Sequence, residues 1–240
     1  VSDKRPLSYP VPWDRVFALT PHIARGTREN IDEFTAAIVR RMDPPPRVEG
    51  LEQLPASPRF LLVANHYQRK GLWILHSAAA LTQAIRLHYG PGDPPVRWLV
   101  TANWPPIRLG PWRMPSPGDW VLPKVAYALH CYPVAFAGAD PATTAASLRK
   151  VLRDAAHIER PIGLFPEGVA GSAGVLTDPL PGTGRLIAQL ARRGLPAVPA
   201  GIAEDGRFVL RFGEPVLPEA ILRATDPARL LMARVAELIR

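Results

Sequence analysis

Apolar residues fall into two patterns along this chain. Some stand in short unbroken runs, which suit strands buried on both faces. Others recur every three or four residues, which suits helices with one buried stripe. Runs of the first kind occupy residues 60–64, 96–100, 162–165, 197–203 and 207–212, and helical spacing covers 72–88 and 183–193. Asp140-Pro141 and Asp226-Pro227 each join a capping carboxylate to a proline suited to a first helical turn. They predict a helix running to about Ile158 and a last helix with Leu230, Leu231, Val235 and Leu238 facing inward. Strands alternating with helices predict an α/β sheet covered on both faces.

Ahead of this alternation, residues 28–42 place Ile31, Phe34, Ile38 and Met42 on one helical face, with Arg40 and Arg41 at the end where the helix dipole favours cations. The stretch "DPPPR", 43–47, then breaks the chain. The expected organisation is an N-terminal helical segment, 1–45, followed by an α/β domain, 46–240. Residues 103–123, "NWPPIRLGPWRMPSPGDWVLP", fit neither pattern and read as a long loop. No internal repeat is visible.

Composition narrows the classes. The 240 residues are 47% hydrophobic and 21% charged, as in an ordinary globular protein. No run of ~20 apolar residues suggests a spanning helix, and "VSDKRPLSYPVPWDRVF" lacks the apolar centre of a signal peptide. A cytoplasmic location is expected. The one cysteine, Cys131, excludes an internal disulfide and a cysteine-rich zinc site. The net charge is +8, and 25 of the 29 basic residues are arginine. Such a surface favours phosphate-bearing partners, although a GC-rich genome produces the same arginine, alanine and proline bias. No basic run of five occurs, so no nucleic-acid-binding tail is expected.

Two strand ends carry candidate chemistry. In "LLVANHYQRKGLWIL", 61–75, an apolar run ends at Asn65-His66 and is followed by Arg69 and Lys70. In "IGLFPEGVAGSAG", 162–174, another ends at Phe165-Pro166-Glu167-Gly168 ahead of a string of small residues. Open α/β sheets hold ligands at the carboxyl ends of their strands. There, histidine is the side chain readiest to move a proton at neutral pH. Each end also has a plainer reading: a structural histidine, and a solvated turn with an incidental glutamate. The chain lacks GxxxxGK[ST], HExxH and GxSxG, and its six histidines show no metal-ligand spacing, so no metal is expected.

"NH" after an apolar strand, "FPEG" about a hundred residues later, "GTGRLIAQLARRGLPAVPAGI" at 182–202 and "FGEPV" at 212–216 occur in that order. In this the chain resembles the phospholipid/glycerol acyltransferase (PlsC-like, lysophospholipid acyltransferase) family over roughly residues 58–217. The resemblance implies an α/β fold with a mixed, largely parallel sheet flanked by helices. It also implies transfer of a fatty acyl group from acyl-CoA or acyl carrier protein to a hydroxyl acceptor, a lipid or lipid precursor. The donor is a co-substrate and no cofactor is needed. His66 becomes the catalytic base, and Asn65, Phe165, Pro166, Glu167 and Gly168 become substrate-binding positions. Arg69 and Lys70 are placed to bind substrate by supplying charge beside His66, the plainer reading being a solvated helix start.

Three departures stand out. The family's aspartate, fifth after the histidine, is here Gly71. The arginine of its middle motif is replaced near "YPVAFAGAD" by Ala137 and Gly138, and the Thr-Arg that often follows FPEG is Val169-Ala170. Either the acceptor lacks the usual glycerol phosphate, or the protein is a catalytically weak or inactive lipid-binding relative. Trp104, Trp112 and Trp120 with Arg108 and Arg113 suit contact with an anionic membrane surface. The expectation is peripheral association with the inner face of the membrane, the plainer reading being tryptophans packed on the core.

Overall fold

In the computed structural model, the described residues are 7–90, 96–102, 107–109, 112–114, 116, 118–135, 141–168 and 175–240. The strands are β1 (Arg47–Glu49), β2 (Leu61–Ala64), β3 (Arg97–Thr101), β4 (Ile107–Leu109), β5 (Trp112–Met114), β6 (Tyr132–Val134), β7 (Ile162–Leu164), β8 (Ala197–Glu204) and β9 (Phe208–Phe212). The helices are α1 (Trp13–Arg25), α2 (Ile31–Val39), α3 (Ile74–Tyr89), α4 (Gly118–Ala128), α5 (Pro141–Asp154), α6 (Thr183–Ala191), α7 (Pro218–Arg223) and α8 (Pro227–Leu238).

Seven strands form one sheet in the order β1-β9-β8-β2-β7-β3-β6, and β4 and β5 form a separate hairpin. The block from β8 to β6 is parallel, β9 is antiparallel to β8, and β1 runs parallel to β9. The fold is thus α/β with a mixed, largely parallel sheet, as expected. Alternation along β2 shows how both faces are filled. Leu61 and Val63 join a core with Val151, Ile187, Leu231 and Val235 of α5, α6 and α8. Phe60, Leu62 and Ala64 join another with Leu81 and Ile85 of α3. A third, smaller core holds Leu19, Ile31, Phe34, Ile38 and Ala79, joining α1 and α2 to α3.

Three local expectations are corrected. The helix after His66 starts at Ile74, because residues 69–72 first close a turn in which Arg69 and Leu72 exchange main-chain hydrogen bonds of 2.9 and 2.8 Å. Residues 103–123 are not uniformly irregular: they hold the β4–β5 hairpin and the start of α4. Pro123 lies inside α4 and Pro21 inside α1, and interior prolines are what hid both helices from the periodicity. Finally, α2 ends at Val39, so Arg40 is its cap and Arg41 reaches Asp14 of α1 at 2.7 Å.

Candidate active site

Strands β2 and β7 are adjacent and parallel, so the residues that follow them emerge at one edge. His66 and Glu167 meet there, through the main chain: the His66 N–H donates to Glu167 Oε2 at 2.5 Å. Glu167 is fully buried, and its other oxygen accepts from the Thr177 N–H at 2.6 Å and the Thr177 hydroxyl at 3.2 Å. The carboxylate therefore pins the His66 backbone to the loop after β7. Asn65 is pinned on the other side. Its amide donates to Ile202 O at 3.0 Å and its Oδ1 accepts from the Ile202 N–H at 2.7 Å, clamping β2 to β8.

The imidazole sits edge-on to Phe165, with centroids 5.5 Å apart. Phe165 in turn stacks on Trp98 at 4.6 Å, nearly parallel. Gly163 makes this stack possible, since a Cβ there would lie 2.4 Å from the indole. Among the described residues His66 Nδ1 is buried with no hydrogen-bond partner. Burial lowers the pKa of the ring below its usual 6.5. Its own main chain and the charge of Glu167 pull the other way without overcoming burial, so the ring is neutral at pH 7.

His66 lines a partly open pocket of about 290 Å³ between α2, α3 and the sheet, walled by Phe34, Ala78, Val100, Leu129 and Phe165. Gly168 also lines it, while Glu167 and Pro166 do not. No lysine, arginine, aspartate or glutamate is among the described residues that line it. A larger and more open cleft, about 690 Å³, lies by Arg185, Arg192 and Arg229. Its narrower mouth and apolar walls, rather than its size, suit the smaller one to an alkyl chain.

Arg69 does not turn toward His66. Its Nε donates to Glu204 Oε2 at 2.9 Å, and its terminal nitrogen contacts both oxygens of that carboxylate. Lys70 is exposed. Gly71 holds a φ of +84°, and a Cβ there would lie 2.7 Å from Ser8 Oγ. Trp120 is exposed, with the Lys124 ammonium 3.5 Å above its ring. Trp104 lies outside the described residues, as do the side chains of Arg108, Trp112 and Arg113. Sequence reasoning missed Trp98, Thr177 and Glu204, which carry no motif. It also missed an aromatic cluster of Trp13, Phe17 and Trp73, whose ring centroids are 5.4 Å (Trp13–Trp73) and 6.1 Å (Trp13–Phe17) apart.

Neither a family sequence pattern nor a curated protein matches this chain. Comparison with solved structures finds the fold again in the 1-acyl-sn-glycerophosphate (LPA) acyltransferase PlsC from Thermotoga maritima. The TM-score is 0.55 at 18% identity, covering 93% of this chain and 80% of that one.

Proposed function

We propose that this chain, which shares the fold of PlsC, transfers a fatty acyl group from a thioester, acyl-CoA or acyl carrier protein, to a hydroxyl acceptor. The observation that carries the reading is a partly buried histidine at the carboxyl edge of the sheet, lining a pocket with apolar walls. The acyl chain lies in the cavity with its thioester carbonyl near the ring. Nε2 of His66 takes the acceptor's hydroxyl proton as the oxygen attacks the carbonyl carbon. The tetrahedral intermediate expels the thiolate, which takes that proton back from the imidazolium. No acyl-enzyme forms.

The acceptor in this reading lacks a phosphate. Arg69 is paired with Glu204, and Ala137, Gly138, Val169 and Ala170 stand where the family's phosphate-associated residues are expected. Contact with a lipid surface completes the reading. Trp13 and Phe17 are 51% and 68% exposed, and Trp73 beside them opens α3 just after the His66 loop. Exposed aromatic rings and a charge of +8 suit the interface of an anionic bilayer. Among the described residues no helix is long and apolar enough to cross a membrane.

A second reading, a lipid-binding relative with weak or no catalysis, is favoured by one observation: no carboxylate reaches His66 Nδ1 among the described residues. Loss of the corresponding carboxylate contact in a serine-protease triad costs roughly 10⁴ in rate. The test incubates purified protein with a long-chain acyl-CoA and hydroxyl acceptors with and without phosphate, and measures free CoA. Release that is fastest with uncharged acceptors and lost in His66→Ala supports the first reading. Release untouched by His66→Ala removes His66 as base. Binding of acyl-CoA without release on any acceptor supports the second reading.

A further inference from the structure

A general base works only if its ring is held in place, and the position where the family holds it with aspartate is closed in this chain. Gly71 sits in the left-handed region with Ser8 packed against it, so no carboxylate fits there without moving the strand of chain beside it. The loop from Asn65 to Leu72 is held by other means. Two anchors lie at its start: the Asn65 clamp on Ile202 and the bond from the His66 N–H to Glu167. The third lies just past His66 and rests on one residue, Glu204, two positions beyond Ile202 on β8.

Glu204 gathers three donor residues from two parts of the chain, the His66 loop and the N-terminal segment. The Tyr67 hydroxyl donates to Oε2 at 2.9 Å, the Arg69 guanidinium grips both oxygens, and the Leu7 N–H donates to Oε1 at 3.1 Å. The Arg69 and Glu204 side chains are only 20% and 17% exposed, so water screens the pair less than an open surface bridge. Burial by itself raises the Glu204 pKa; the Arg69, Leu7 and Tyr67 contacts outweigh it and hold the carboxyl below its usual range, hence ionised at neutral pH. The Tyr67 ring packs edge-on to Phe208, 6.1 Å away, which ties the same loop to β9. Leu7 and its neighbours close over the loop. The Tyr9 N–H donates to Gly71 O at 2.9 Å, and His76 Nε2 lies 3.4 Å from Pro10 O.

We infer that Glu204 is a positioning residue for His66: through Tyr67 and Arg69 it fixes the loop whose geometry aims the imidazole into the apolar cavity. It acts on the backbone that carries the ring, where an aspartate would act on the ring itself. The functional part of this inference rests on the acyl-transfer reading, and its structural part does not. A merely structural pair, holding residues 7–10 in place, would affect stability and leave the ring as it is.

The test compares wild type with Glu204→Gln, which keeps the shape and an acceptor oxygen while removing the charge, and with Arg69→Lys, which keeps the charge but loses the two-pronged grip. Two readouts are taken on folded protein: long-range ¹H–¹⁵N NMR of the His66 ring across pH, and kcat and KM for acyl-CoA. Glu204→Gln is expected to lower kcat by between about tenfold and about a hundredfold, as small misplacement of a reacting group does, with KM little changed. The His66 ring signals are expected to broaden or split between tautomers, and their titration to move up toward 6.5 as water reaches the ring. Arg69→Lys is expected to fall between the two. Unchanged ring signals and titration in Glu204→Gln, with only a lower melting temperature, overturn the proposal. If wild type transfers no acyl group, the acyl-transfer reading fails alone. The ring signals still decide whether Glu204 holds His66.

Discussion

His66 carries its proton more weakly than a free imidazole because it is buried, and that has a direct kinetic consequence. The neutral ring is the active base, so activity falls as pH drops through the His66 pKa. That pKa lies below 6.5, so the acid limb of kcat/KM is expected below 6.5, measured from pH 5 to 8 with acyl-CoA as donor. A limb at or above 6.5 overturns the depressed pKa, and loss or survival of that limb in His66→Ala shows whether the base is His66 or another group. Gly71 offers a second residue-scale test. From the motif alone, Gly71→Asp reads as a repair that raises the rate. The structure predicts the reverse: a side chain at φ +84° costs about 1–2 kcal/mol, and its Cβ also displaces Ser8. Gly71→Asp is expected to lower the melting temperature and to leave activity no higher than wild type. A rise in rate with unchanged stability contradicts this.

At the scale of elements, α2 closes the cavity from outside α3. Phe34 is buried in the small core shared by α1, α2 and α3 and also forms part of the cavity wall. Phe34→Ala removes a large apolar side chain that nothing can replace, a loss of about 3–5 kcal/mol in a packed core. Because one side already faces a cavity, the low end of that range is expected in denaturant unfolding. The same change lengthens the cavity, so preference among acyl-CoA donors is expected to move toward longer chains. An unaltered chain-length profile would place the acyl group elsewhere. Strand β8 is the other decisive element. It runs past the end of β2, and that overhang lets Ile202 and Glu204 hold the residues on both sides of His66.

At the scale of the whole molecule, three histidines, His76 buried and His66 and His130 partly so, set a common response to acid. Burial lowers the pKa of His66, His76 and His130 from 6.5, so the unfolded chain binds protons at a pH where the folded one does not. Stability from these sites is complete above 6.5 and is lost between 6.5 and the lower folded values. Melting temperature is therefore expected to fall between pH 7.5 and pH 5, and His76→Gln to reduce that fall. A melting temperature constant over that interval would falsify the linkage. The exposed aromatic cluster is tested on the same scale. Trp13→Ala with Phe17→Ala is expected to weaken binding to anionic vesicles about tenfold, equivalent to about 1.4 kcal/mol, and high salt to weaken it further. Equal vesicle binding by wild type and the double variant removes the cluster from the interface.

The fold class was legible because strands buried on both faces write unbroken apolar runs, and the five runs in this chain match β2, β3, β7, β8 and β9 to within a residue or two. Strand ends were legible for the same reason, so Asn65-His66 and Phe165-Pro166-Glu167 stood out as edge positions before any contact was known. Helices with interior proline, α1 and α4, were not, since proline interrupts the local signal while tertiary packing still supports the helix. Partnership was not legible either. The His66 N–H meets a carboxylate 101 residues away, and Arg69 one 135 residues away. Such pairings follow from the order β8-β2-β7 in the sheet, which no local pattern encodes. The cavity likewise exists only because α2 folds back over α3, and Gly71 became a closed position only because residues 7–10 pack against its turn. Local periodicity determines which residues lie at the carboxyl edge, and the path of the chain determines which groups meet there, because a hydrogen bond requires its partners within about 3 Å whatever their separation in sequence.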